Sequence, residues 1–150
     1  MTKINERYHA ATKYLSQSDV LLITFGSSWI YEHRGTVVAN CHKVAETEFL
    51  RLRLSVEEIV KMYAELITQL TIKNPKLRVI LSVSPIRYMR HGANENQTSK
   101  AILLLAVEQL TAQFENVTYF PAYEIVLDEL RDYRFFADDM IHPSQVAIAY

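Results

Sequence analysis

Three short apolar runs punctuate the chain: DVLLITF at 19–25, stopped by Gly26; LRVILSVS at 77–84, stopped by Pro85; and the weaker NVTYF at 116–120, ended by Pro121. The first two are partly β-branched and apolar without alternation, the pattern of strands buried on both faces. Between them the period changes. In SVEEIVKMYAELITQLTIKN, Val56, Ile59, Val60, Tyr63, Leu66, Ile67 and Leu70 recur at helical spacing behind an S-x-x-E capping box, Ser55 to Glu58. SKAILLLAVEQLTAQF at 99–114 repeats that period, with Ser99 as its N-cap. AYEIVLDELRD at 122–132 predicts a shorter helix, and residues 3–16 an opening one. Strands alternating with helices of this length pair in parallel through right-handed crossovers, so the class is α/β, a layered sheet with helices on both faces.

No repeat, low-complexity tract or Gly/Ser linker divides residues 1–150, so the chain is read as one domain or one piece of one. Three parallel strands make a narrow sheet, and runs this apolar call for neighbours. The chain stops at Tyr150, a turn or two after Pro143. We therefore expect a partial domain from a truncated gene, with an open sheet edge through which copies can form a homo-oligomer; the alternative is a small complete domain with a blunted edge.

Composition narrows the function. At 49% hydrophobic and 11% aromatic, the chain has the side chains for a core. A formal net charge of −1 with interspersed signs gives no field to concentrate nucleic acid or an anionic membrane, so no nucleic-acid partner is expected. No apolar run approaches the ~18 residues that span a bilayer, and the N-terminus is polar where a signal peptide is apolar. The single cysteine, Cys41, cannot form an internal disulfide. These features together predict a cytoplasmic protein.

In an open parallel sheet, ligands bind where the loops leave the carboxyl ends of the strands. Asp139 and His142 stand in such a segment as D-x-x-H, with Pro143 able to occupy the first turn of a helix and fix His142 at its entrance. A carboxylate on one ring nitrogen leaves the other to take a proton, the arrangement that activates a serine or a water. The blander alternative is an Asp capping a helix beside a bystander His, and Asp138 is a rival carboxylate. GSSW after the first strand places Gly26 in a sharp turn and Ser27 and Ser28 at the rim, as turn caps, ligand contacts or a nucleophile; with Trp29 next, the G-x-S-x-G elbow is absent. In VVANCHK, Asn40 is a candidate oxyanion donor or an ordinary turn residue. Cys41 is a second candidate nucleophile. Cys41 and His42 lack the CxxC or HxxxH spacing that would make them metal ligands with His91 or His142, so neither metal nor cofactor is expected. Arg87 and Arg90 can hold a substrate carboxylate or phosphate, or simply face water. The aromatics Tyr119, Phe120, Tyr123, Tyr133, Phe135 and Phe136 can pack the core, the rim or a sugar.

Taken together, ITFGSSWIYE, VVANCHK, ILSVSPIRYMRHG, SKAILLLAVEQL and YFPAYEIVLDELRDYRFFADDMIHPS resemble the GSCFA-domain family, placed with the SGNH (GDSL-like) hydrolases. The likeness runs over most of residues 20–146. It implies a three-layer, flavodoxin-like α/β fold and a serine esterase or acyl-hydrolase mechanism, acting on small-molecule, carbohydrate-linked or lipid esters. Asp139 and His142 match the terminal D-x-x-H block that supplies acid and base. Gly26 matches the glycine of the G-x-N-D block, where Ser28 replaces asparagine; Asn40, in the A-N-C-H-K string, is then the stand-in oxyanion donor. The family's Gly-Ser-Cys-Phe-Ala segment, whose serine is the presumed nucleophile, does not occur in these 150 residues. The resemblance thus implies the C-terminal portion of a hydrolase domain, with Asp139 and His142 catalytic, Gly26, Ser28, Asn40 and Arg87 on the substrate side, and the serine upstream of Met1. The alternative is a non-catalytic carbohydrate- or ester-binding module.

Overall fold

The computed structural model describes residues 2–39 and 44–150. Asn40, Cys41 and His42 lie outside the described residues. Helix α1 (Thr2–Ser16) leads into strand β1 (Val20–Phe25). Then comes an excursion that no periodicity announced: β2 (Trp29–His33), β3 (Thr36–Val38) and β4 (Leu50–Arg53) form an antiparallel sheet in the order β3-β2-β4. Its hairpin turns through Arg34 and Gly35, both at positive φ. The main fold resumes with α2 (Val56–Lys73), β5 (Arg78–Val83), α3 (Ala93–Gln113), β6 (Val117–Phe120) and α4 (Ala122–Glu124), which continues as a π-helical turn over Ile125–Leu130. A short α5 (Gln145–Ala149) closes the chain.

The three apolar runs are the three parallel strands, in the order β1-β5-β6. Helices flank this sheet as the α/β pattern predicts, giving part of a flavodoxin-like arrangement. One face carries the core. Leu21, Ile23 and Phe25 of β1, Val79, Leu81 and Val83 of β5, and Val117 of β6 pack against Ile59 and Ile67 of α2 and Leu103, Ala106, Val107 and Leu110 of α3. The other face departs from the expectation of strands buried on both sides. Val20 and Leu22 of β1 and Phe120 of β6 are exposed there, because α2 and α3 lie together against the opposite side. Among the described residues no helix is long and apolar enough to cross a membrane.

Two helix starts show why local signals differ in reach. At α2 the capping box forms as read: Glu58 N–H donates to Ser55 Oγ at 3.2 Å and Ser55 N–H to Glu58 Oε2 at 2.8 Å. At α3 the helix begins at Ala93, after Gly92 in the left-handed region at φ 91°, so Ser99 is an interior residue and not the cap. Removing the α2 cap in Ser55→Ala is expected to cost about 1 kcal/mol, read as a lowered urea midpoint at unchanged slope.

Candidate active site

The inward stripe of α3 does not end where its apolar residues end. Continued toward the N-terminus from Leu110, Val107, Ala106 and Leu103, it passes through Lys100, Ser99 and Asn96, all buried. Each polar group ties down a loop at the carboxyl ends of β1 and β5. Lys100 Nζ, with the residue only 1% exposed, donates to Gly26 O at 2.7 Å and Ser84 O at 2.6 Å. It also sits 5.0 Å from the Tyr88 ring centroid. Ser99 Oγ accepts the Ser28 N–H at 2.7 Å and lies 3.1 Å from the Ser28 hydroxyl. Asn96 Oδ1 accepts the Tyr88 N–H at 2.9 Å. Burial without a countercharge pushes the Lys100 ammonium down from 10.5 to about 8.

These contacts give Gly26 and Ser28 definite tasks. Gly26 leaves room for a neighbour: a Cβ there would stand 2.7 Å from the Tyr88 hydroxyl and oblige that side chain to shift. Ser28, 1% exposed, turns its amide and hydroxyl inward to Ser99, while Ser27 faces the rim.

The D-x-x-H segment is a self-bonded loop. Phe136 and Pro143 form an antiparallel bridge, flanked by Ala137 N–H to His142 O at 2.8 Å and Ser144 N–H to Phe135 O at 2.8 Å. They are the non-hydrogen-bonded pair of that bridge, so proline's missing donor costs nothing. Pro143 therefore precedes α5, whose cap is Ser144, instead of occupying the first helical turn. Within the loop, Met140 adopts φ 59°, and the chain doubles back on Asp139. Oδ1 accepts the N–H of Ile141 at 2.8 Å and of His142 at 3.0 Å; Oδ2 meets His142 Nδ1 at 2.6 Å. Asp139, not Asp138, is the partner. The His142 backbone donor, then the ring, then the Ile141 donor hold its carboxyl down at about 2. The carboxylate selects the tautomer with hydrogen on Nδ1 and leaves Nε2 bare. Among the described residues the ring's only hydrogen bond is to Asp139, and the His142 side chain is 57% exposed.

Arg87 joins this loop to the rim. Its N–H donates to Ile141 O at 3.2 Å, and its guanidinium stacks 3.8 Å from the centroid of Phe136. Phe136 is itself buried with Val126 and Leu130 of the π-helical turn. The Asp139–His142 loop is thus bonded, through Ile141, to the loop that leaves β5. Arg87 also lines a cavity of about 170 Å³ with Arg131, Asp132 and Tyr133. Of the other aromatics, Tyr119 and Tyr123 pack on the main core, Phe135 on the second cluster, and Phe120 and Tyr133 are exposed. No group of three or more His, Cys, Asp or Glu among the described residues is placed to hold a metal.

The residues that sequence reasoning missed are Asn96 and Lys100. The signal was present: three polar side chains at core positions of a helical stripe, which their place in an otherwise polar loop sequence masked. The sequence pattern that defines the GSCFA family matches residues 1–150. No curated protein and no solved structure matches the chain.

Lys100→Met would leave two buried carbonyls without donors, at an expected cost of about 2–4 kcal/mol in chemical denaturation. The folded state releases the Lys100 proton near 8 and the unfolded chain near 10.5, so the unfolded state binds more protons between them. Wild-type stability should consequently rise relative to the variant between about pH 8 and pH 10, as urea midpoints across that range will show.

Proposed function

The chain belongs to the GSCFA family, and we propose that its Asp139–His142 pair is the acid–base half of an SGNH-type ester-hydrolysing site. The observation that supports this reading is the 2.6 Å contact of Asp139 Oδ2 with His142 Nδ1, on a loop bonded to the strand-end rim. In this mechanism His142 Nε2 takes the proton of a serine hydroxyl as the oxygen attacks the ester carbonyl. Asp139, ionised at any pH above about 2, steadies the imidazolium so formed. The imidazolium then protonates the departing alcohol, and water repeats the sequence on the acyl-enzyme.

The Ser28 amide already donates to Ser99, so the oxyanion falls to Asn40 in this reading. Arg87 holds the catalytic loop by its stack on Phe136 and presents the remaining guanidinium edge to substrate. The reading calls for a serine nucleophile of the kind that the family's Gly-Ser-Cys-Phe-Ala segment carries. The substrate is a small-molecule or carbohydrate-linked ester.

Joined to the N-terminal portion of a longer family member that carries this segment, the chain should hydrolyse p-nitrophenyl acetate. His142→Ala should then lower kcat on the order of 10⁶-fold with the circular dichroism spectrum unchanged. Turnover indifferent to that change overturns the assignment. Asp139→Asn gives a sharper readout. The amide oxygen can still accept the Ile141 and His142 N–H groups, but its NH₂ opposes Nδ1 and favours the wrong ring tautomer. A loss of about 10⁴-fold in kcat with little change in KM is expected.

A further inference from the structure

We propose that the crevice between the antiparallel sheet and the first turns of α3 binds a single sugar ring bearing a carboxylate, a hexuronate in chemical class. This goes beyond the ester-cleaving reading and does not depend on it. β2 and β4 pair with Trp29 opposite Arg53 and Tyr31 opposite Arg51. Residues two apart on a strand, and those directly across from them, share one face, so the four side chains form a patch. It looks toward α3, since both arginines approach Glu95. Trp29, Tyr31 and Arg51 of this patch, with Arg53 just outside, line a crevice of about 280 Å³ together with Tyr88, Arg90 and Glu95. That lies just below the ~300–1,000 Å³ of pockets for drug-sized ligands, which suits one ring.

The lining is underfilled in a particular way. The Arg51 guanidinium lies 3.4 Å from the Trp29 ring centroid, which fixes its position and leaves its N–H edges free to point sideways. Arg51 and Arg53 each come no nearer to Glu95 than 3.9 Å, too long for hydrogen bonds. Among the described residues Arg51 Nε and Glu95 Oε2 are buried with no partner. Arg90 is already paired with Glu46 at 2.5 Å. Two guanidiniums therefore share one loosely held carboxylate. One positive charge is thus in excess at the edge of the crevice, and Arg51 Nε and Glu95 Oε2 stand unpartnered behind its aromatic surface.

A ligand carboxylate neutralises the excess and takes a guanidinium edge in a bidentate pair. A hydroxyl next to it donates to Glu95, which a simple anion cannot do. The C–H face of the ring lies against Tyr31 and Tyr88. Acetate or phosphate would leave Glu95 and the aromatic rings unmatched, and an acyl chain would desolvate the charges with nothing in return.

Trp29 is the one tryptophan in these 150 residues, so intrinsic fluorescence reports on this crevice. The probes are glucuronate, galacturonate, glucose and acetate. A saturable change with a hexuronate is expected, with glucose and acetate weaker by about tenfold or more, and with a similar loss in Arg51→Met and in Glu95→Gln. Four results overturn the proposal: no saturable change with either hexuronate, an equal response to glucose, an equal response to acetate, or unaltered affinity in both variants. If a variant loses its circular dichroism spectrum, salt takes its place, and hexuronate affinity unchanged between about 0.02 and 0.5 M NaCl overturns it equally. Ester turnover reads the Asp139–His142 assignment separately, so failure of one leaves the other standing.

Discussion

A single buried ammonium organises the rim. Lys100 reaches from the core stripe of α3 to the carbonyls that follow β1 and β5, at 2.7 and 2.6 Å, and among the described residues no carboxylate pairs with it. Backbone oxygens at strand ends have no ladder partner, and left buried without one they cost free energy comparable to a lost hydrogen bond. One side chain from a third element satisfies two of them. The same helix holds the amides of Ser28 and Tyr88 through Ser99 and Asn96. The loops that carry Gly26 and Arg87 consequently leave the sheet in defined directions, and everything placed on them inherits that definition.

The Asp139–His142 loop solves a different problem, how to present an exposed imidazole in one orientation. It lies outside the sheet and its side chains are largely in water, so packing cannot hold it. Asp139 supplies the order instead by accepting two backbone N–H groups with one oxygen and the ring with the other. Met140 in the left-handed region permits that reversal, and Phe136, buried under Arg87, anchors it to the core. Met140 within the loop and the π-helical turn beside it are both local irregularities that serve to position a side chain.

The antiparallel sheet is the third part of the rim. It places Trp29 and two arginines against α3, where their charge is only half answered by Glu95. A wall built this way gives the rim a polar, aromatic side beyond the imidazole and the strand ends.

Legibility in the sequence followed the range of each interaction. The three parallel strands, the helix behind Ser55 and the D-x-x-H pairing were readable because each rests on neighbours within a few residues: a continuous apolar run, a period, a contact three positions away. The sheet of β2, β3 and β4 was not, since its strands are short and β4 reaches β2 only across more than ten residues of sequence, with stacking such as Arg51 on Trp29. The start of α3 was misread for a similar reason. Asn96, Ser99 and Lys100 look like loop residues until the loops that need their hydrogen bonds stand beside them. Sequence alone therefore determined which segments form the α/β frame and that an acid stands close before His142, while the structure chose Asp139 over Asp138. Tertiary structure decided which polar residues are core and which face of the sheet is covered, because burial and hydrogen-bond satisfaction depend on groups far apart along the chain.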